Sequence, residues 1–247
     1  MTKSFDWKYW VGAGVVCSVL SSAAVAQEYK DYLPFFGQPL HSVAEVPRSE
    51  IDTLRVELGR TLYHEKRLSI DNSISCNSCH DTQGFGVDGA AFSVGFDNHL
   101  TGRNSPTSFN AFMHITQFWD GRAETLELQA EGPVAAPGEM GFTWDAAEEL
   151  CREIEGYELQ FQAVFGASAT KLTITQAMAT FERTIFAGGS PYDHFERATP
   201  FYNLDMEEET DAELIARYEE AMKGEEDHPM TEASKRGREL FFGKASC

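Results

Sequence analysis

The chain is short of cysteine and of positive charge, and each shortage excludes something. Five cysteines stand at 17, 76, 79, 151 and 247, at uneven spacing. No dense, even set is present, so a disulfide-stapled scaffold is excluded. Only 20 lysines and arginines face 39 acidic residues, for a net charge of −19. A surface of that sign repels nucleic acid and anionic lipid, and neither is expected as a partner. No stretch alternates well enough to make a convincing strand. Beyond residue 26, no apolar run is long enough to cross a bilayer.

What is present is hydrophobic and aromatic. Of the 247 residues 42% are hydrophobic, and 18 are Phe. That is enough for one large core or two small ones, and too much for a disordered tail. At the N-terminus, Lys3 and Lys8 precede the apolar run from Val11 to Leu20. Ser21-Ser22-Ala23-Ala24-Val25-Ala26 then ends in a small-x-small pattern. Residues 1–26 read as an export signal cleaved after about Ala26, which expects a periplasmic protein. An uncleaved membrane anchor is the alternative, for which the run is short.

Residues 27–47 read as an extended arm. Ser49 starts a helix, with Asp52 at the capping-box position and Ile51, Leu54, Leu58 and Leu62 at helical spacing. Residues 69–110 are rich in Gly, Asn, Ser and Asp and read as loop wrapped around an internal scaffold. A short helix is expected from Ala146 to Ile154, closed by Gly156. Thr173 is expected to cap another, with Ile174, Met178, Phe181 and Ile185 on its buried face and Gly188-Gly189 at its end. Residues 203–228 hold eleven acidic and two basic residues and read as a solvated linker or an exposed helix. A docking surface for a cationic redox protein is the sharper alternative.

The most specific signal is Cys76-Asn77-Ser78-Cys79-His80. Two thiols three residues apart on one turn can form thioethers with the two vinyl groups of a haem. The adjacent imidazole then falls beneath the iron as proximal ligand. A redox dithiol would want a βαβ context, and a zinc site would want two further ligands at sensible spacing. Export and the surrounding loop composition favour haem. The segment Gly59-Arg60-Thr61-Leu62-Tyr63 before Cys76 is echoed by Gly237-Arg238-Glu239-Leu240-Phe241-Phe242 before Cys247. The sequence therefore reads as a fragment cut inside a second haem motif.

Further residues carry a resemblance. They are Leu58-Gly59-Arg60, Ile74 to His80, Asn104-Ser105-Pro106-Thr107, Phe118-Trp119-Asp120-Gly121-Arg122, Glu127 to Pro133, and Glu139-Met140. In this order and spacing the chain resembles the bacterial di-haem cytochrome c peroxidases, a family that includes the MauG-like proteins. The match covers roughly residues 48–195 and resumes at 234–247.

The resemblance implies a mainly α fold. A cytochrome c-like haem domain with long loops and its following helices would fill residues 27–195. An acidic linker would occupy 196–233, and a second cytochrome c-like domain would start at 234–247. It implies two haems c in the full-length protein, with Cys247 as the first thioether of the second. It implies a calcium ion between the domains, bound in part by Asn104, and a homodimer. Trp119 would pass electrons between the haems. Glu139 would stand on the distal side of the first haem as the acid–base group, with Gln129 near it. Hydrogen peroxide would be the substrate, and a small cytochrome c or cupredoxin the electron donor. A MauG-like oxidase and a plain electron-transfer cytochrome are the alternatives. One departure stands out. Many members carry Ser-Ile-Gly-His where this chain reads Ser93-Val94-Gly95-Phe96. Phe cannot ligate iron. Either the first haem stays five-coordinate, or His99 takes the role.

Overall fold

The computed structural model describes residues 50–206 and 209–246. The export signal, the arm at 27–47, Ser49 and Cys247 lie outside the described residues, as do the side chains of Ile51 and Asp52.

Nine helices of four residues or more stand among the described residues, together with several 3-10 turns. They are α1 (Glu50–Tyr63), the single turn α2 (Cys76–Cys79), α3 (Leu126–Ala135) and α4 (Trp144–Glu153). After them come α5 (Glu155–Phe165), α6 (Lys171–Glu182), α7 (Pro191–Ala198), α8 (Ala212–Asp227) and α9 (Glu232–Phe242). The only β pairing among the described residues is two isolated antiparallel bridges, Val94 with Leu100 and Gln117 with Ala123. Each closes a short reverse loop. No described helix is long and apolar enough to cross a membrane.

The core forms where α1, α3 and α4 pack on α6, with α5 laid against α1 and α4. Leu58, Leu62, Phe161, Ile174 and Met178 are fully buried there, at the spacings their helices require. Leu54 departs from the expected stripe and is 48% exposed. Gly59 marks the crossing of α1 over α6. A Cβ at that position would stand 1.9 Å from the carbonyl oxygen of Ala177, so only glycine lets the two backbones approach this closely.

Several helix ends differ from expectation for local reasons. The cap of α6 is Thr170, and Thr173 is its partner three residues on. Thr173 N–H donates to Thr170 Oγ1 at 3.2 Å, and Thr170 N–H donates to Thr173 Oγ1 at 2.9 Å. α6 stops at Glu182, short of Gly188-Gly189, yet Ile185 is still buried. Asn110 explains this. Its N–H donates to Ile185 O at 2.9 Å, its Nδ2 donates to Ala187 O at 3.0 Å, and its Oδ1 accepts from Ala187 N–H at 2.9 Å. The chain is drawn off the helix axis by that grip. α4 begins at Trp144, behind a Thr143 cap. Gly156 does not close it, because α5 starts at Glu155 and carries Gly156 in its first turn. Gly166, at φ +67°, ends α5.

The acidic stretch carries α8. It packs on α7 through stacked His194 and His228 rings, 4.5 Å apart, and through Phe201 against Tyr218. α9 is tied to α7 by Arg238, whose Nε and Nη2 both donate to the Glu196 carboxylate.

Candidate haem-binding site

Ser75, Cys76, Asn77, Ser78 and Cys79 make one tight turn for reasons internal to the motif. Ser75 N–H donates to Ser78 Oγ at 3.0 Å, Ser78 N–H donates to Ser75 O at 2.9 Å, and His80 N–H donates to Cys76 O at 3.0 Å. Asn77 Oδ1 accepts from both Thr82 N–H and Thr82 Oγ1 at 3.1 Å, which pins the exit. The turn puts Cys76 and Cys79 on one side, both as free thiols. Cys76 packs against a small apolar cluster of Val56, Tyr63, Phe181 and Ile185. Burial pushes its thiol up to about 12, and burial raises that of Cys79 too. A redox dithiol needs a lowered thiol pKa. Among the described residues no group of three or more His, Cys, Asp or Glu could hold a metal, so a zinc site is not completed there.

His80 is oriented for ligation. Its Nδ1 lies 3.0 Å from the carbonyl oxygen of Pro106, which fixes the N–H on that nitrogen and leaves Nε2 as the donor. Tyr63 Oη donates to His80 O at 3.1 Å from the side of α1. Burial holds the imidazole below its usual pKa, which favours the neutral ligand form. Two unpaired thiols on one turn and a neutral imidazole held by a backbone carbonyl at Nδ1 fit covalent haem attachment with proximal ligation.

The opposite wall comes from the segment after α3. Met140 N–H donates to Pro133 O at 3.2 Å and Gly141 N–H to Ala136 O at 2.9 Å, so the chain doubles back on its own helix. Glu139 sits at that bend, half-buried. Its carboxyl is near enough to both thiols for its charge to oppose their ionisation, after burial as the main cause. Burial raises its pKa, and the charge of Arg122 partly opposes that.

Phe96 belongs to this wall. Its N–H donates to Glu139 O at 2.8 Å, and its ring lies against Gly141, where a Cβ would meet Cε1 at 2.3 Å. His99 lies over Gly138, its Nε2 3.0 Å from where a Cβ would stand. The reverse loop from Val94 to Leu100 thus packs both rings on the bend that carries Glu139.

The segment Phe118 to Arg122 is a second reverse loop, closed by Gln117 N–H to Ala123 O at 2.7 Å. Gln117 is buried and anchors it through Nε2 to Ala111 O at 2.9 Å. Phe118 takes φ +67° and supports the Arg122 guanidinium, 3.4 Å above its ring. Asp120 holds Arg122 at 2.8 Å and Arg103 at 2.9 Å. Trp119 is pushed to the surface, 64% exposed, with Nε1 donating to Asn104 O at 2.8 Å. Asn104 Nδ2 donates to Ala90 O at 2.6 Å, which leaves Oδ1 on the opposite side. Trp119 and Asn104 are therefore joined by a hydrogen bond, and the two thiols and His80 share one turn. Gln129 sits half-buried on α3, and no hydrogen bond joins it to Glu139.

Two groups here were not singled out from the sequence. The Pro106 carbonyl is backbone and leaves no side-chain signature. Glu182 is buried, and its charge reaches Cys76 and Tyr63. It lies four residues after Met178, on the expected buried stripe of α6, and that placement could have flagged it.

Fold and site define a helical cytochrome c-type domain with a half-buried carboxylate within electrostatic reach of the haem-attachment turn. The chain belongs to the di-haem cytochrome c peroxidase family, whose family model matches residues 53–199. It is 38% identical over 157 residues to the cytochrome c551 peroxidase of Nitrosomonas europaea, covering 63% of this chain and 46% of that protein. It is 30% identical over 240 residues to the methylamine utilization protein MauG of Methylorubrum extorquens, covering 95% of this chain and 60% of that one. Among solved structures it resembles a MauG-like protein associated with microbial copper homeostasis. The TM-score is 0.61 at 29% identity, covering 83% of this chain and 52% of that structure. The chain spans about half the length of the relatives it matches. The family implies haem c and oxidoreductase chemistry.

Proposed function

We propose that the full-length protein is an exported, periplasmic di-haem peroxidase that reduces hydrogen peroxide to water. Its electrons come from a small cytochrome c or cupredoxin. The observation that carries this reading is Glu139, a half-buried carboxyl whose charge reaches both Cys76 and Cys79. Haem bound there supplies an open coordination position and the redox equivalents. The chain supplies the rest. Cys76 and Cys79 fix the group, and His80 holds it through Nε2. Glu139 takes a proton from one oxygen of peroxide and returns it to the other, so that the leaving oxygen departs as water. One peroxide, two electrons and two protons give two waters. Gln129 lies on the helix leading to Glu139 and helps to orient the substrate. Trp119, held by Asn104, passes electrons toward a second haem attached in part by Cys247. Asn104 Oδ1 offers an oxygen to calcium, a hard cation that takes such ligands. A homodimer is the expected assembly.

Phe96 bears on the alternative reading. Phe96 cannot ligate iron, so a haem held by His80 would have no ligand from that residue and would need no reductive activation, unless His99 takes the role. That property also suits a MauG-like oxidase acting on a protein or small substrate. The two are separated by the distal ligand of the second haem, where Met marks the peroxidase and Tyr the oxidase. Glu139→Gln tests the carrying observation. Peroxide turnover in the full-length holoprotein should be abolished with haem content unchanged, and retained turnover overturns the assignment. A purely low-spin ferric spectrum would sink the five-coordinate reading and point to His99.

A further inference from the structure

Within electrostatic reach of Cys76 lies a second cluster with an odd charge count. Arg183 Nη2 is bound to Glu127 Oε1 at 2.8 Å, with both side chains almost fully enclosed. Glu182, the residue before Arg183, is 8% exposed, and its carboxyl makes no hydrogen bond among the described residues. Glu127 Oε2 is buried without a hydrogen-bond partner. Arg183, already bound to Glu127, is therefore the one cation that acts on the Glu182 carboxyl among the described residues. Burying the surplus negative charge costs far more than binding a proton, so the cluster holds one proton at neutral pH.

The proton resides on Glu182. Burial pushes its carboxyl up to about 8, Arg183 works against this, and Glu127 adds to it. Across the cluster stand Tyr63 from α1 and Cys76 from α2, whose own ionisation Glu182 opposes. Glu182 is thus in electrostatic reach of the group that Cys76 anchors.

We propose that the Glu127–Arg183–Glu182 cluster is a redox-linked proton site: at alkaline pH, where Glu182 has lost its proton in the oxidised protein, it takes up one proton from solvent when the haem attached at Cys76 gains one electron. The added negative charge favours the neutral carboxylic acid, and loss of the electron releases the proton. Charge change in the buried pocket is thereby kept small, and the reduction potential falls as pH rises. This rests on the haem reading above.

The test is a spectroelectrochemical titration of the first haem in full-length holoprotein, from neutral to alkaline pH. In the parent protein the potential should fall by up to about 59 mV per pH unit, the value for one proton per electron. Glu182→Gln, which keeps shape and removes the titration, should flatten that slope. Glu127→Gln leaves Arg183 to Glu182 and should move the sloping region to lower pH. Equal slopes in Glu182→Gln and parent, with haem bound in both, overturn the proposal. A protein that binds no haem overturns the underlying reading instead. If Glu182→Gln fails to fold, a reduced-minus-oxidised infrared spectrum of Glu139→Gln decides. A carboxylic C=O band should appear on reduction, and its absence overturns the proposal.

Discussion

Replacing Gly95 by alanine probes the contact between the Phe96 loop and the Glu139 bend. Gly95 has φ −83°, a value any residue adopts, so the whole cost is collision. The new Cβ would stand 2.1 Å from Gly138 O and 2.9 Å from Glu139 O. Both are backbone atoms and cannot rotate away. Relief requires the two segments to part by roughly 1 Å, since such contacts relax only beyond about 3 Å. Overpacking of this kind costs about 1–3 kcal/mol. Parting also breaks the Phe96 N–H to Glu139 O bond, now 2.8 Å long, for about 1 kcal/mol more. The sum is about 2–4 kcal/mol, or on the order of 5–15 °C in Tm for a domain of this size. Urea unfolding of the holoprotein, with an unchanged m-value, measures it. Displacing Glu139 by this much should also lower peroxide turnover about 10²-fold. Gly59→Ala is the control. Its Cβ would lie 1.9 Å from Ala177 O, with no atom of the Glu139 bend among its nearest neighbours, and helix propensity returns only about 1 kcal/mol. It should lose comparable stability and keep turnover per folded molecule. A Gly95→Ala protein within about 0.5 kcal/mol of the parent, or one with unchanged turnover, refutes the reasoning.

Arg122→Ala removes the one cation that opposes the raised pKa of Glu139. An ionised Glu139 is needed to accept the first proton, so the acid limb of the kcat/KM profile should move to higher pH. Glu65 is held down to about 2, first by its hydrogen bond from Arg67 and further by one from Tyr157 at 2.8 Å. A depressed carboxyl stabilises above its unfolded pKa, so the stability gap between parent and Glu65→Gln should close as pH falls from about 4.3 toward 2. Cys151 is fully buried, and its thiol is pushed up to about 12, chiefly by burial. Peptide mapping after maleimide treatment should find it unlabelled in native protein and labelled in urea.

Much of this was legible in the sequence, and the rest was hidden for definable reasons. The spacing of Cys76, Cys79 and His80 encodes their shared turn, and the 3.6-residue stripes of α1 and α6 encode their buried faces. Helix ends were harder to read. Thr170 and Thr173 are equally good caps by type, and the structure uses both in one reciprocal box. Gly156 looks like a terminator, but Ile154 serves as C-cap of α4 and N-cap of α5 at once, so the glycine falls inside. Acidic 203–228 allowed a linker or a helix, and α8 fills most of it because its His228 end docks on His194. The orientation of His80 depends on a backbone carbonyl 26 residues away, which no residue type announces.

The Asn110 grip on the segment after α6 has a consequence for the order in which the chain folds. Asn110 and Ala187 are 77 residues apart. Closing a flexible loop of that length costs about 4 kcal/mol in chain entropy. Three hydrogen bonds return about 3 kcal/mol net, so the grip cannot form first. It closes only after α1 and α6 have packed and shortened the effective loop. The loop that supplies the Pro106 carbonyl to His80 is therefore a late arrival, completed on a helical frame already in place.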